Sequence, residues 1–525
     1  MGVLRAASLA SAAAAALLCS AAAAPSPWRF PTGSQAAPIA VTESGASGLQ
    51  WAARPPQAWA QGAAGASPAI ALDLGAPRQE VLGFGSCFTD TSAYNLLVYA
   101  QPAVREQLLE AVFGESGLRS SVMRQHINSP DYAVHTYSFD DVDGDFALAH
   151  FDAGLAYDQQ RVIPFIHAAQ AKAAAWTNHS LKTFASPWSP PAWMKQNGNM
   201  INSDAVCLRP DTPAGDSYAQ AWASYILRWL QAYQANGIML WGLTPQNEPE
   251  ARQQHFESCA YDVPHYVEWL GKYLGPTVLP HFPALKILSY DHNKLDSVEY
   301  MTAIAADAAA SAASSGAAVH WYDYTRSLGI DELEAVHASQ PGKIMLATEA
   351  CFLESLTFDW ENTAFLYAAD IIADLNHWVQ GWVAWNTLLL TGSKYPESRG
   401  GPNHDNTTVF GDGILLEYNS SGTQRLIFQS SYWVRQEKTR AAPPLLRNRP
   451  HAPPLPPPLS RPAGPGPLLP LHAPWLCHHC LLWRCHCADH CAVRGHPKPH
   501  SVVPGRGLPP RCRLPPAGGG LCRPR

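Results

Sequence analysis

Eight short apolar runs alternate with helix-like stretches between Glu80 and Trp385, and that alternation limits the possible folds severely. The runs are EVLGFGS from Glu80, SSVMRQHI from Ser120, LKTFAS from Leu181, GIMLWGLT from Gly237, LKILSY from Leu285, AAVHWY from Ala317, KIMLAT from Lys343 and VQGWVAW from Val379. Between them lie segments such as SYAQAWASYILRWLQAYQAN from Ser217 and NTAFLYAADIIADLNHWV from Asn362. Strands that alternate with helices imply parallel βαβ units. Eight such units predict an α/β fold, a (β/α)8 TIM barrel, with its chemistry at the C-terminal ends of the strands. An open doubly wound sheet is the alternative, but no G-x-G-x-x-G follows the first strand.

The strand ends are therefore the places to look for a site. The fourth run leads into Asn247-Glu248, and Pro249 then predicts an extended backbone at Glu248. On its own this is an ordinary strand-to-helix turn. The seventh run ends at Glu349, 101 residues later, so the two carboxylates meet only if the barrel closes. Two carboxylates flanking a glycosidic bond are the minimal machinery of glycoside hydrolysis. One must be protonated to donate to the leaving oxygen, and the other ionised to attack the sugar carbon. Mutual repulsion and partial burial can hold their pKa values apart. Other strand ends bear Trp188, His320-Trp321-Tyr322 and Trp385-Asn386. Aromatic faces beside hydrogen-bonding groups suit a carbohydrate; each tryptophan taken singly reads more readily as core, and their joint placement at strand ends shifts the balance.

Charge and composition separate the body from the ends. Residues 441–525 hold 11 Lys plus Arg and one acidic residue, which leaves the rest of the chain at a net −16. The body is acidic, and nothing in it suggests a nucleic-acid partner. Residues 1–24 read as a signal peptide: Arg5, an Ala-rich apolar stretch from Leu9 to Leu18, and small residues at Ser20 to Ala24. Sequons at Asn178, Asn406 and Asn419 agree with export. Cys87, Cys207, Cys259 and Cys351 are too few for a disulfide scaffold, and spacing alone deduces no pairing. From 435 onward the chain reads as a tail outside the fold, with 21 prolines and seven cysteines in residues 441–525. Its run CHHCLLWRCHCADHC has zinc-ligand residue types at irregular spacing, without the flanking pattern of a zinc finger.

Seven motifs in order, GFGSCFTDTSAYNLL, ASPWSPPAWMKQNG, TPQNEPE, AVHWY, ATEAC, GWVAWN and GGPNH, resemble those of the acid glucosylceramidases of glycoside hydrolase family 30. The resemblance implies a retaining barrel enzyme over residues 79–434, with residues 25–78 forming the first strands of an accessory β-sandwich. It implies Glu248 as general acid/base and Glu349 as nucleophile. Asp131, Trp188, Asn247, Tyr322 and Trp385 would bind the sugar, and Arg124 and His320 would support the nucleophile. It implies no cofactor and no metal. Expected partners are glucosylceramide or a related β-glucoside, an anionic membrane lipid surface, and an activator protein. The expected location is the secretory pathway: lysosome, vacuole or the extracellular space. Another activity of the same family, a β-xylosidase or β-1,6-glucanase, is the alternative, as is a non-catalytic relative.

The sequence departs from that pattern in particular places. Ala384 stands where the family has an aspartate, which predicts a lost polar contact near Trp385. The N-terminal segment lacks the family's cysteine pairs. Similarity ends near FQSSYWV, where the strands completing the sandwich would follow, so the accessory domain is expected to be incomplete.

Overall fold

Each of the eight runs contributes a parallel strand to one closed barrel. The computed structural model describes residues 39–45, 49–57, 76–177, 180–323, 327–354, 363–390, 410–411, 414–418 and 422–440. The signal segment, Asn178, Asn406, Asn419 and the Pro/Cys-rich segment from 441 lie outside the described residues. An antiparallel hairpin comes first, β1 (Ile39–Gly45) and β2 (Leu49–Gln57). The barrel strands follow: β3 (Gly83–Cys87), β4 (Val122–Ile127), β5 (Lys182–Pro187), β6 (Gly242–Leu243), β7 (Lys286–Asn293), β8 (Gly316–His320) and β9 (Ile344–Glu349). A two-residue strand β10 (Leu353–Glu354) precedes the last barrel strand, β11 (Gly381–Asn386), which pairs with both β3 and β9 and closes the ring. Strand β6 is much shorter than the run that predicted it. Ladder bonds nonetheless extend past it, from Trp241 N to Thr183 O (2.7 Å) and from Thr244 N to Ala185 O (2.8 Å). The start of β8 needs glycine: a Cβ on Gly316 would lie 1.9 Å from the Ile344 carbonyl oxygen.

Helices surround the barrel because their apolar residues recur every three or four positions. In helix Tyr218–Ala235 the buried stripe is Trp222, Tyr225, Ile226, Trp229, Leu230 and Tyr233, and Ser217 caps the first turn by accepting from Gln220 N. Helix Ser430–Arg440 completes the ring, with the Tyr432 hydroxyl donating to Ala111 O of helix Pro102–Phe113 (3.1 Å). This helix crosses the expected tail boundary at 435, and Arg435 is buried. Three further strands, β12 (Leu388–Leu390), β14 (Ile414–Tyr418) and β15 (Gln424–Phe428), form a small sheet, and β13 (Phe410–Gly411) pairs with β10. None of these four was read from the sequence. Among the described residues, no helix is long and apolar enough to cross a membrane.

The barrel interior sets the position of the site. Val122, Phe184, Leu288, Ala318, Leu346 and Val383, one from each of six strands, make a buried apolar layer. Side chains two residues apart on a strand share a face. Arg124, Ser186, His320, Thr348 and Trp385 therefore form the next layer up, toward the C-terminal ends. The same fold that closes the floor with hydrocarbon puts charged and polar groups directly above it.

Candidate active site

Arg124 is the hub of that upper layer. It is fully buried, and its guanidinium donates to Ser186 Oγ (3.0 Å), Asn247 Oδ1 (2.8 Å), Asp291 Oδ2 (2.8 Å) and Glu349 Oε2. The other Glu349 oxygen accepts from the Tyr322 hydroxyl (2.7 Å). Glu349 is thus fixed by a cation on one side and a phenol on the other, and its remaining freedom is small.

Asp291 is one residue that sequence reading missed. It is fully buried and accepts from five donors: Arg124, Ser186 Oγ (2.9 Å), Thr244 Oγ1 (2.6 Å), Thr348 Oγ1 (2.6 Å) and His320 Nε2 (3.1 Å). Burial opposes its charge, but Arg124 and these donors hold its carboxyl far below the usual carboxylate range. A bulge in β7 creates the position. Tyr290 and Asp291 both take left-handed backbone (φ 80° and 67°), and the register with β8 slips between Tyr290 and His292. Strict alternation from Leu288 would turn Tyr290 inward and Asp291 outward. The extra residue reverses that phase, the usual effect of a β-bulge beside a site. The doublet Asp291-His292 directly follows LKILSY, as Asn247-Glu248 follows GIMLWGLT, so a signal of the same kind was present in the sequence.

Glu248 does not have the extended backbone expected before proline. Its φ is +47°, in the left-handed region. Tertiary bonds override the local preference: Asn247 N donates to Pro187 O (2.8 Å) and Glu248 N to Asp291 O (3.0 Å). Strain of this kind clusters at functional sites. The turn aims the Glu248 carboxylate at two imidazoles, with Oε1 at 3.5 Å from His320 Nδ1 and 3.7 Å from His292 Nδ1. His320 also lies 4.0 Å from Glu349 Oε2, so one ring faces both carboxylates.

The electrostatics follow from these contacts. Burial disfavours a charged His320, but Glu349, Asp291 and Glu248 overcome it and raise its pKa to about 9. Burial also pushes Glu248 upward, yet His320, His292 and Arg124 hold it well below the usual range. Glu349 is raised, chiefly by burial, with Glu248 and Asp131 adding to the shift against His320 and Arg124. These shifts favour a proton on His320 over one on Glu248, because carboxylates surround the imidazole.

Other expected positions are placed as follows. Asp131 lies in the loop after β4, close enough to act electrostatically on Glu349 and Cys87. Trp188 and Trp385 are each 1% exposed. They stack on one another (centroids 5.0 Å apart, 26° between planes), and the Arg124 guanidinium lies 4.7 Å from the Trp188 ring centroid. Neither presents the open face expected of a sugar platform, because each is covered by the other and by Arg124. Ala384 is buried in the main core, whereas Trp385 belongs to the cluster of Trp188 and Cys87. Alternation along β11 turns the two to opposite faces, so an acid at 384 would not be the partner of Trp385. The loops after β5 and β6 are tied by a Cys207–Cys259 disulfide, and the buried Lys195 ammonium donates to Met200 O (2.8 Å), Asn202 O (2.6 Å) and Ser258 O (2.6 Å). Cys351 lies 3.5 Å from the Tyr322 hydroxyl.

The TIM-barrel domain of glycosyl hydrolase family 30 matches residues 81–414, which include every one of these side chains. The chain belongs to glycosyl hydrolase family 30. Among relatives, "Putative glucosylceramidase 4" of Caenorhabditis elegans is 32% identical over 68% of this chain and 68% of its own length. The lysosomal acid glucosylceramidase of Mus musculus is 30% identical over 62% of this chain and 61% of its own. The chain thus spans about two thirds of the first relative and less of the second. Among solved structures, an endo-β1,6-glucanase superposes with a TM-score of 0.58 at 27% identity, covering 71% of this chain and 79% of that one. Family 30 membership and the closed barrel agree with the fold read from the alternating runs.

Proposed function

We propose that this family 30 protein is a retaining β-glucosidase acting on glucosylceramide, with Glu349 as nucleophile and Glu248 as acid/base. The observation that carries the reading is Glu349, gripped by Arg124 and Tyr322, with Glu248 facing it across His320. In the first step a Glu349 oxygen bonds to the anomeric carbon while the bond to the leaving oxygen breaks. Forming the glycosyl ester neutralises Glu349, and His320 loses one of the carboxylates that hold its proton. As the bond breaks, the proton passes through Glu248 to the leaving oxygen. In the second step Glu248 takes a proton from water and returns it to His320, the water oxygen bonds to the anomeric carbon, and Glu349 is released. Both steps invert, so configuration is retained. His320 and Glu248 act as one titrating unit, as strongly coupled groups do.

The remaining roles belong to the same proposal. Asn247, anchored through Oδ1 on Arg124, offers its amide nitrogen to the sugar 2-hydroxyl, and Asp131 binds further hydroxyls. Trp188 and Trp385 bind the sugar only if a ring edge opens to it. In the closed stack they position Arg124 instead. Residues 25–78 are assigned to an accessory sandwich. The Cys207–Cys259 bond suits an oxidising compartment, and with the lysosomal relative it supports the secretory pathway. An anionic lipid surface and an activator protein would be its partners there.

Likeness to an endo-β1,6-glucanase favours a second reading, cleavage of a β-1,6-glucan. Initial rates on glucosylceramide in anionic phospholipid vesicles, a fluorogenic β-glucoside, a β-xyloside and a β-1,6-glucan separate the two. Preferred cleavage of the lipid, stimulated by the anionic phospholipid, supports the proposal. Cleavage of the glucan with none of the lipid would replace it.

A further inference from the structure

The barrel mouth holds three metal-ligating side chains that sequence alone does not bring together. Glu248, His292 and His320 each offer one ligand atom, and all three atoms lie within 4.8 Å of one another. Glu248 Oε1 is 3.5 Å from His320 Nδ1 and 3.7 Å from His292 Nδ1. Zinc bonds to imidazole nitrogen and carboxylate oxygen measure about 2.0–2.1 Å, which puts ligand atoms of a tetrahedron about 3.3 Å apart. Two edges of the triangle need to shorten by only a few tenths of an ångström.

Two further observations point to a bound cation. First, the Nδ1 atoms of His292 and His320 are both buried and have no hydrogen bond among the described residues, although both face the Glu248 oxygen. Second, each ring has a carboxylate behind its other nitrogen. His320 Nε2 bonds Asp291 Oδ1 at 3.1 Å, and His292 Nε2 lies 4.0 Å from Glu250 Oε2. A carboxylate behind a ligating imidazole orients the ring and strengthens it as a donor. The bulge in β7 that turns Asp291 inward also brings His292 to this position.

We propose that Glu248, His292 and His320 form a reversible site for a divalent transition ion, Zn2+ in the first instance, that shuts off the enzyme by occupying its acid/base carboxylate. Three protein ligands leave a fourth position open to water. The ion binds lone pairs that Glu248 and His320 otherwise use to carry the proton, so loaded protein cannot protonate a leaving group. Binding needs only the geometry, while inhibition rests on the role of Glu248 proposed above.

The test uses the full chain stripped with a chelator. Zn2+ should inhibit hydrolysis of an aryl β-glucoside, and EDTA should restore it. In His292→Gln the Zn2+ concentration for half-inhibition should rise at least about tenfold, the scale set by losing groups that shape a metal site. The Cys/His run from Cys477 can bind metal too, so Co2+ serves as the second probe. The wild-type minus His292→Gln difference spectrum should show d–d bands of one cobalt equivalent without a thiolate charge-transfer band. Glu248→Gln should lose the same bands, which guards against a folding defect in one variant. If the chain shows no glycosidase activity, the glucosidase reading fails and the cobalt difference alone decides the metal site. Equal metal binding and equal inhibition in wild type and His292→Gln would overturn the proposal.

Discussion

Replacing Asp291 by asparagine perturbs the site without changing its volume. The carboxylate accepts from Arg124, Ser186 and Thr244 at Oδ2 and from His320 and Thr348 at Oδ1. An amide has one acceptor oxygen and must aim its NH2 at one of these groups. Serine and threonine hydroxyls can rotate to accept, but Arg124 and a protonated His320 cannot. The amide oxygen should therefore turn to Arg124, and His320 must give up its Nε2 proton to accept from the amide. Removing one member of a buried ion pair costs about 3–5 kcal/mol. At roughly 2 °C per kcal/mol for a domain of this size, melting should fall by about 6–10 °C. Catalysis should fall by about 10²-fold, the scale for slight misplacement of reacting groups. The diagnostic change is in the pH–rate profile. His320 is held at about 9 in part by Asp291, so the alkaline limb should move to lower pH in the variant. Urea unfolding and kcat/KM against pH measure both effects. A variant with wild-type stability and an unmoved alkaline limb would refute the account of Asp291.

Other outcomes follow from the same geometry. Glu248→Gln should slow glucosylceramide severely but spare the first step on aryl glucosides with good leaving groups, and azide should rescue it with formation of a β-glucosyl azide. Wild-type activity should fall on the acid side at a pH above the ordinary carboxylate range, because Glu349 must be ionised to attack and its pKa is raised. Burial raises Asp158 from 3.8 to about 7 and Glu257 from 4.5 to about 7, so the native state holds protons there that the unfolded chain releases. Their contribution to stability is complete below about pH 4 and is lost as pH rises through 7. His126, lowered to about 4, and His292, also lowered, both mainly by burial, slope the other way, but Glu250 and Asp374, raised by burial to about 7 and about 8, add to the first pair. Melting temperature should accordingly be higher at pH 5 than at pH 7.5, and the reverse order would contradict these assignments.

The barrel was legible because its strands are fully buried and read as apolar runs of strand length. Strand-end inspection also singled out Asn247, Glu248, His320, Tyr322 and Glu349, since polar residues just beyond an apolar run mark the C-terminal rim, whereas Arg124, inside β4, was named only through the family resemblance. The inspection overlooked Asp291 and His292, whose inward direction depends on a bulge, and a pattern of period two carries no sign of an inserted phase. Residue type also gave no sign that Trp188 and Trp385 stack on one another beside Arg124, because it cannot say whether a ring faces a ligand or another ring. The left-handed Glu248 is set by hydrogen bonds to residues distant in sequence, so the local influence of Pro249 gave the wrong backbone. The Cys207–Cys259 pairing joins two loops 52 residues apart, a proximity that exists only once the barrel has formed. The small sheet of β12, β14 and β15 follows the last clear apolar run and has no helical spacer to mark its strands.

The central claim is that Glu349 attacks the sugar and Glu248 serves its leaving group. An activated 2-deoxy-2-fluoro-β-glucoside tests it most directly, since the fluorine slows both steps and a good leaving group rescues only the first. Peptide mapping of the inactivated protein by mass spectrometry should place one fluoroglucosyl group on Glu349, with activity returning as the ester turns over. An adduct on Glu248 or another residue, or steady turnover with no adduct and release of an α-configured sugar, would contradict the account.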